Sequence, residues 1–408
     1  MLTPSSFYLY KWNFHMIPYT TGKSCKHLEI VLKTVERCNI NCSYCYFFNG
    51  GNETYKFHPP YITQETLLNI AHFLRQGCQE LFPEKIEIIF HGGEPLMQKK
   101  AQFDEMCLLF SNALSKKTEL TFALQTNAML VDQEWIDLFA KHRVGIGVSL
   151  DGPKFYNDLH RVDHRNRGTY DRVIKGLTRL NQAAELNQIG KIGLIGVINP
   201  EFDPKILYRH FVDDLKMHHM NFLLPDFTHD TFHGTVESYG KFLCTLFDEW
   251  AKDDNPDIEI KIIKSVFSLL NSGFSETKQD EIPGNVILVI GSNGDIAPDD
   301  VLRVTHVWDR QEEVNVKNIS LKDYLASPLL DKLRDAENTC PEICKNCCWG
   351  NVCKGGMLIH RHSKKNTFNN PSVYCEAIKD FYSHITAYLL ENGIPFSNFY
   401  NALLTGQE

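Results

Sequence analysis

Cys38, Cys42 and Cys45 fall in the stretch Glu36-Arg37-Cys38-Asn39-Ile40-Asn41-Cys42-Ser43-Tyr44-Cys45-Tyr46, a C-x3-C-x2-C spacing directly after a strand-like apolar run. A cubane [4Fe-4S] cluster normally takes four thiolates. A compact loop that offers three leaves one iron for an outside ligand, much as a catalytic zinc keeps an open position. Structural zinc prefers four closed ligands in two C-x2-C-like pairs, which fits neither this spacing nor this count. Free cysteine also packs as a small hydrophobe, but the interleaved Asn39, Asn41 and Ser43 argue for a loop instead of a buried face.

A second motif follows at Phe90-His91-Gly92-Gly93-Glu94-Pro95-Leu96. Two adjacent glycines let a ligand approach the backbone without side-chain obstruction. Taken together, the cysteine loop with Tyr44 before its last cysteine and this Gly-Gly-Glu-Pro run resemble the radical S-adenosylmethionine (SAM) family. The resemblance implies a [4Fe-4S] cluster on Cys38, Cys42 and Cys45 whose open iron takes SAM, with Gly92, Gly93 and Glu94 at the amino group of its methionine moiety. It also implies SAM-facing residues at later strand ends: Gln125 and Asn127 in Gln125-Thr126-Asn127, and Ser149, a ribose or carboxylate contact. Arg161 or Arg172 could meet the SAM carboxylate. Asp151-Gly152-Pro153 reads equally well as turn chemistry, and Arg165 and Arg167 as a solvated charged face.

The elements that must position these residues alternate between strand-like and helical periodicity. Strands are expected at Leu28 to Leu32, Ile86 to Phe90, Leu120 to Gln125, Gly145 to Leu150, Ile192 to Ile198 and Met220 to Leu224. Helices are expected at Gln64 to Arg75, Phe103 to Ser115, Gln133 to Lys141, Tyr170 to Asn187 and Lys205 to Leu215. This order predicts an α/β fold, a partial, parallel (β/α)6 barrel, with its ligand site at the carboxyl ends of the strands. Both motifs fall there.

The chain has 408 residues, enough for a barrel and an appended domain. A net charge of -8 gives no basic field for nucleic acid. The thirteen cysteines cluster at short, metal-like spacings, and the N-terminus lacks a secretory pattern, which points to a reducing, cytoplasmic setting. No run reaches the roughly 18 apolar residues of a membrane span.

After about residue 230 the character changes. Helical patterns at Val236 to Ala251 and Ile262 to Leu270 lead to a hairpin, Val286 to Pro298, in which Asn293-Gly294 is a two-residue turn signal. A helical stretch, Leu321 to Leu333, precedes Cys340, Cys344, Cys347, Cys348, Cys353 and Cys375. The set Cys344, Cys347, Cys353 and Cys375 resembles the SPASM domain of radical SAM peptide and protein maturases, which implies one auxiliary [4Fe-4S] cluster closed by four thiolates. Zinc is the rival for Cys344-x2-Cys347. The fuller SPASM pattern has cysteines where this chain carries Asp299 and Met357, so the other auxiliary cluster is expected to be missing. The expected organisation is an extension at 1–27, the barrel at 28–230, a helical linker region at 231–284, a SPASM-like auxiliary domain at 285–395 and a tail at 396–408. Phe7, Tyr8, Tyr10, Trp12 and Phe14 in the extension could pack on the barrel or help bind a leader peptide.

In the functional reading that the resemblance implies, a 5′-deoxyadenosyl radical abstracts hydrogen from a substrate whose radical is then oxidised. Asp300 stands where sulfatase-maturing relatives carry their proposed proton acceptor, and Asp226, at the end of the sixth strand, is a second candidate. The overall pattern is most similar to maturases that form three-residue cyclophanes, joining an aromatic ring to a β-carbon. The implied partners are a ribosomal precursor peptide with a leader and a flavodoxin- or ferredoxin-type electron donor. The alternatives are an anaerobic sulfatase maturase that oxidises Ser or Cys to formylglycine, and, from another class, a non-catalytic iron-sulfur or zinc-binding interaction protein.

Overall fold

A computed structural model of the chain describes residues 25–114, 116–271, 285–306, 314–397, 399 and 403. The N-terminal aromatics and most of the expected tail lie outside the described residues. One sheet dominates the fold, in the order β7-β6-β5-β4-β3-β2-β1-β8-β9. Its strands are β1 His27–Val35, β2 Lys85–Gly92, β3 Glu119–Thr126, β4 Gly145–Ser149, β5 Gly193–Val197, β6 His219–Leu223, β7 Glu259–Ile260, β8 Asn285–Ile290 and β9 Ile296–Ala297. The six strands expected from periodicity are all present, adjacent in chain order and parallel.

The parallel register sorts the side chains into tiers, because alternate residues of a strand face opposite sides. Leu28, Ile30 and Leu32 of β1 join Ile86, Ile88 and Phe90 of β2 in the main core under the helices. On the opposite face Glu29 pairs with Glu87, Val31 with Ile89 and Lys33 with His91. Val31, Ile89, Ala123 and Val289 form a small apolar layer of their own. The inner face of the sheet is therefore polar at the amino ends, apolar in the middle and polar again at the carboxyl ends.

Helices cover the other face, and their boundaries follow from capping. Thr63 accepts from the Thr66 amide at 3.1 Å to start Gln64–Leu81, and Asp132 accepts from the Trp135 amide at 3.0 Å to start Gln133–His142. Pro204 opens Pro204–Arg209, which continues through a π turn at His210–Asp214. Beneath them Phe103 meets Phe90 at 4.7 Å between ring centres and Trp135 at 5.3 Å.

Three details differ from the sequence expectations. The stretch Leu321 to Leu333 is two helices, Leu321–Leu325 and Pro328–Asn338, because Pro328 cannot continue the first and starts the second. Asn293-Gly294 sits inside a longer loop, 291–295, closed by the Gly291 amide on the Asp295 carbonyl at 2.9 Å. The hairpin that contains it belongs to the main sheet: β8 runs parallel to β1, and β9 pairs antiparallel with β8.

The helix Cys375–Glu391 packs along Val236–Asp253. Gly240 allows the close approach, since a Cβ there would stand 3.2 Å from the Ala377 Cα. None of the helices among the described residues is long and apolar enough to cross a membrane.

Phe103 is 1% exposed. Phe103→Ala should cost about 3–5 kcal/mol of stability, read as a lower midpoint in urea unfolding with an unchanged slope.

Candidate functional site

A cavity of ≈ 220 Å³ opens at the carboxyl ends of the parallel strands. Its wall brings together Cys38, Cys42 and Cys45, the Gly92-Gly93-Glu94 turn, Gln125, Asn127, Ser149, Arg161 and Asp226, so every main-site candidate except Asp300 lies on one surface.

The cysteine loop is held by a neighbouring segment. The Asn41 amide donates to the Val162 carbonyl at 2.7 Å and the Ser43 amide to the His160 carbonyl at 3.0 Å. Asn127 donates to Asn39 at 2.7 Å, tying the loop to the end of β3. The interleaved polar residues thus anchor a loop, as their placement implied. Burial first, with Glu94 and the other thiols behind it, pushes the Cys38 thiol above its ordinary range; burial likewise raises Cys42 to about 11. The bare thiols are protonated, and a cationic metal centre would draw those protons off.

The Gly-Gly turn is built by close approach of β1 and β2. Gly92 has φ 136°, and a Cβ there would stand 2.0 Å from the Val35 carbonyl oxygen. The Gly93 and Glu94 amides donate to the Val35 and Arg37 carbonyls at 2.7 and 2.9 Å. An ammonium group arriving at this turn would therefore meet carbonyl oxygens and no free N–H from these two residues. The Glu94 carboxylate is fully engaged within the protein: it accepts from the Leu96 amide at 2.9 Å, Thr126 Oγ1 at 2.7 Å and the Asn127 amide at 2.8 Å. It locks the β2 exit to the β3 exit.

On the far wall, Arg161 donates to the Tyr44 hydroxyl at 2.8 Å, and Tyr44 donates to Asp151, whose other oxygen accepts from the Val197 amide at 3.1 Å. Asp151 is therefore more than a turn residue, because it couples the cysteine loop to the β5 exit. Arg172 turns away to Asp163 at 3.0 Å, beside Arg167, in a surface cluster. Ser149 accepts from Gln125 Nε2 at 2.8 Å. Two buried polar atoms on this wall, Gln125 Oε1 and Arg161 Nε, have no partner among the described residues. A ligand carrying both a carboxylate and hydroxyl donors would satisfy them.

Asp300 lies behind the wall, where one oxygen accepts from both Lys33 and Tyr46. Lys33 and His91 are the residues that sequence reasoning missed. The signal was a lysine on the inward face of an otherwise apolar strand end, opposite a histidine that opens the Gly-Gly motif. His229 and Asp230 face the C-terminal segment instead of the cavity: the His229 amide donates to the His362 carbonyl at 2.9 Å, and the Asp230 carboxylate accepts from the Lys364 amide at 2.9 Å.

A second, smaller pocket is lined by Cys344, Cys347, Cys353 and Cys375, the four expected together. Cys340 adjoins Cys344, and Cys348 is exposed. Among the described residues, no three cysteine sulfurs at either site lie within 4.8 Å of one another. Tetrahedral zinc at about 2.3 Å from each sulfur would bring sulfurs to about 3.8 Å apart. The wider spread suits a multi-iron cluster at both places.

Comparison with known proteins agrees with this geometry. The sequence model of the Radical SAM superfamily matches residues 32–200, which form a radical SAM domain. A cysteine-type anaerobic sulfatase-maturating enzyme of Clostridium perfringens is 24% identical over 373 residues, 88% of this chain and 96% of its own length. The solved structure titled native anSMEcpe with bound AdoMet and Cp18Cys peptide superposes with a TM-score of 0.75 at 21% identity, covering 90% of this chain and 98% of that one. Streptococcus suis SuiB bound to its precursor peptide SuiA gives 0.61 at 17% identity, covering 87% and 76%. At these identities the likeness to the solved structures establishes the fold, a radical SAM domain with a cysteine-rich C-terminal region.

Glu94→Ala would strand three buried donors at the junction of β2 and β3. A stability loss of about 2–4 kcal/mol is expected, measurable by urea unfolding of the cofactor-free chain.

Proposed function

We propose that this radical SAM chain is a maturase of a ribosomally made peptide, in which it forms a carbon-carbon crosslink between an aromatic ring and a β-carbon. The observation that carries the reading is the convergence on one cavity of a three-cysteine loop, a carboxylate- and ammonium-binding wall and an acidic side chain, with a separate four-cysteine pocket in the same chain. A [4Fe-4S] cluster on Cys38, Cys42 and Cys45 with SAM supplies a 5′-deoxyadenosyl radical that takes hydrogen from unactivated carbon. Arg161 would hold the SAM carboxylate, the Gly92-Gly93 turn its ammonium, and Gln125 and Ser149 its ribose. Cys344, Cys347, Cys353 and Cys375 would hold one auxiliary cluster.

The crosslinking preference rests on what replaces the remaining SPASM cysteines. Asp299 is half-buried beside Asp300, and Met357 stands on the wall of the main cavity. A carboxyl and a thioether thus take positions that would supply thiolates to another auxiliary cluster. Formylglycine formation is the second reading, favoured by the nearly full-length similarity to a sulfatase-maturating enzyme. Both readings call for a peptide or protein segment as substrate and a low-potential flavodoxin or ferredoxin as electron donor, in the cytoplasm.

Tandem mass spectrometry of a short peptide encoded beside this gene, after anaerobic co-expression with the enzyme, separates the two products. Loss of two hydrogens, no hydrazide-reactive aldehyde and missing backbone fragments across a three-residue span with an aromatic are expected. The same mass loss with an aldehyde would establish formylglycine instead.

Cys42→Ala should abolish 5′-deoxyadenosine production. Continued production would mean that the cysteine loop has no catalytic part.

Arg161→Met should weaken SAM binding about tenfold or more, the worth of a charge-assisted hydrogen bond. Calorimetric titration of the anaerobically reconstituted protein measures it.

A further inference from the structure

Whichever product forms, the substrate radical must lose a proton as it is oxidised. Asp300 and Asp226 differ sharply in their freedom to accept it. Asp300 is 5% exposed, and one of its oxygens takes hydrogen bonds from both the Lys33 ammonium and the Tyr46 hydroxyl. Lys33, 1% exposed, spends its three protons on Asp300, on His91 Nδ1 at 3.0 Å and on the Tyr46 oxygen at 3.3 Å. A protonated lysine only donates, so Nδ1 of His91 must accept, which places the imidazole proton on Nε2. The quartet is closed, with Tyr46 and His91 on the cavity wall and the ion pair behind them.

Asp226 stands on the wall itself, and no described residue donates to its carboxylate. Its backbone is fixed by the Pro225 carbonyl, which accepts from the Tyr374 hydroxyl and the Phe227 amide, each at 2.8 Å.

We propose that Lys33 is a positioning residue that fixes Asp300 as a structural anion, and that Asp226 is the carboxylate that receives the substrate proton. This rests on the maturase reading above. In the step, a C–H bond of the ring-adduct radical breaks. The proton goes to the Asp226 carboxylate, and one electron leaves to an acceptor of the iron–sulfur class, so a neutral radical becomes a closed-shell product. For formylglycine the broken bond is O–H or S–H, with the same balance.

The groups facing Asp226 are Asp299, Asp300, Tyr46 and Tyr374. Burial first, then Asp299 and Asp300, raise its carboxyl to about 7. A proton acceptor works when ionised, so product formed per 5′-deoxyadenosine should be high above that value and fall as the pH drops through it.

The test uses anaerobic single turnovers of reconstituted holoenzyme with the co-expressed neighbouring peptide, scoring product per 5′-deoxyadenosine against pH. Asp226→Asn should lower that ratio at least about tenfold and erase the acid limb. Lys33→Met/Asp300→Asn should keep an acid limb displaced to lower pH, because one carboxylate that raises Asp226 has been neutralised. Independently of turnover, Lys33→Met alone should lower the thermal midpoint and the double variant should recover it, since the single change leaves Asp300 buried without its cation. A wild-type limb in Asp226→Asn, a limb lost in the double variant, or no thermal recovery would each overturn the proposal. Wild type that makes no 5′-deoxyadenosine would overturn the maturase reading as well, and is recognised before any ratio is taken.

Discussion

The in-step parallel pairing of β1 with β2 and β3 is the constraint from which the site follows. Because Glu29, Val31 and Lys33 lie level with Glu87, Ile89 and His91, each inward residue meets a partner of its own kind. A slip of one residue would send Lys33 into the helical core and Leu32 into the cavity. The apolar tier of Val31, Ile89, Ala123 and Val289 seals the sheet below the cavity, which keeps the charges above it in a confined medium where their mutual effects are large. The register then breaks between Lys33 and Val35. That irregularity lifts the chain off the sheet toward the cysteine loop, and Gly92 is the residue that lets β2 pass so close.

The ion pair of Lys33 with Asp300 joins positions 267 residues apart in the chain. A buried pair adds little net stability against an apolar replacement, but losing one partner is costly. Its effect here is selective: only one placement of the segment after β9 gives Lys33 an anion. Since β8 lies beside β1, the returning chain is delivered to that anion by strand pairing. The segment that reads as the start of another domain is structurally part of the barrel's first strand neighbourhood.

Much of this was legible in the sequence. Six strands and their helices announced themselves through periodicity, and Cys38, Cys42 and Cys45 through spacing. Residues such as Glu94 and Asp151 were visible as motif members, but their roles were not, because each closes hydrogen bonds to loops distant in sequence. Lys33 looked like a charge interrupting an apolar run, and only the pairing with His91 and the return of Asp300 turn it into a centre. The break at Ser327-Pro328 was readable and shows that a proline inside a helical pattern outweighs the pattern. The parallel placement of β8 was not readable, because a short apolar strand carries no mark of which edge it will join.

The two cysteine pockets differ in how they touch the barrel. The first is embedded in it, between the β1 exit and the segment at 160–164. The second reaches it through backbone: Tyr374, immediately before Cys375, donates to the carbonyl of Pro225, immediately before Asp226. The His229 amide and ring donate to the carbonyls of His362 and Pro371 across the same seam. Metal binding at cysteine-rich segments is coupled to their folding, so ordering the four-cysteine pocket also fixes the exit of β6. The cavity's free carboxylate thus owes its position to a distant set of thiols, through two hydrogen-bonded loops and without direct contact.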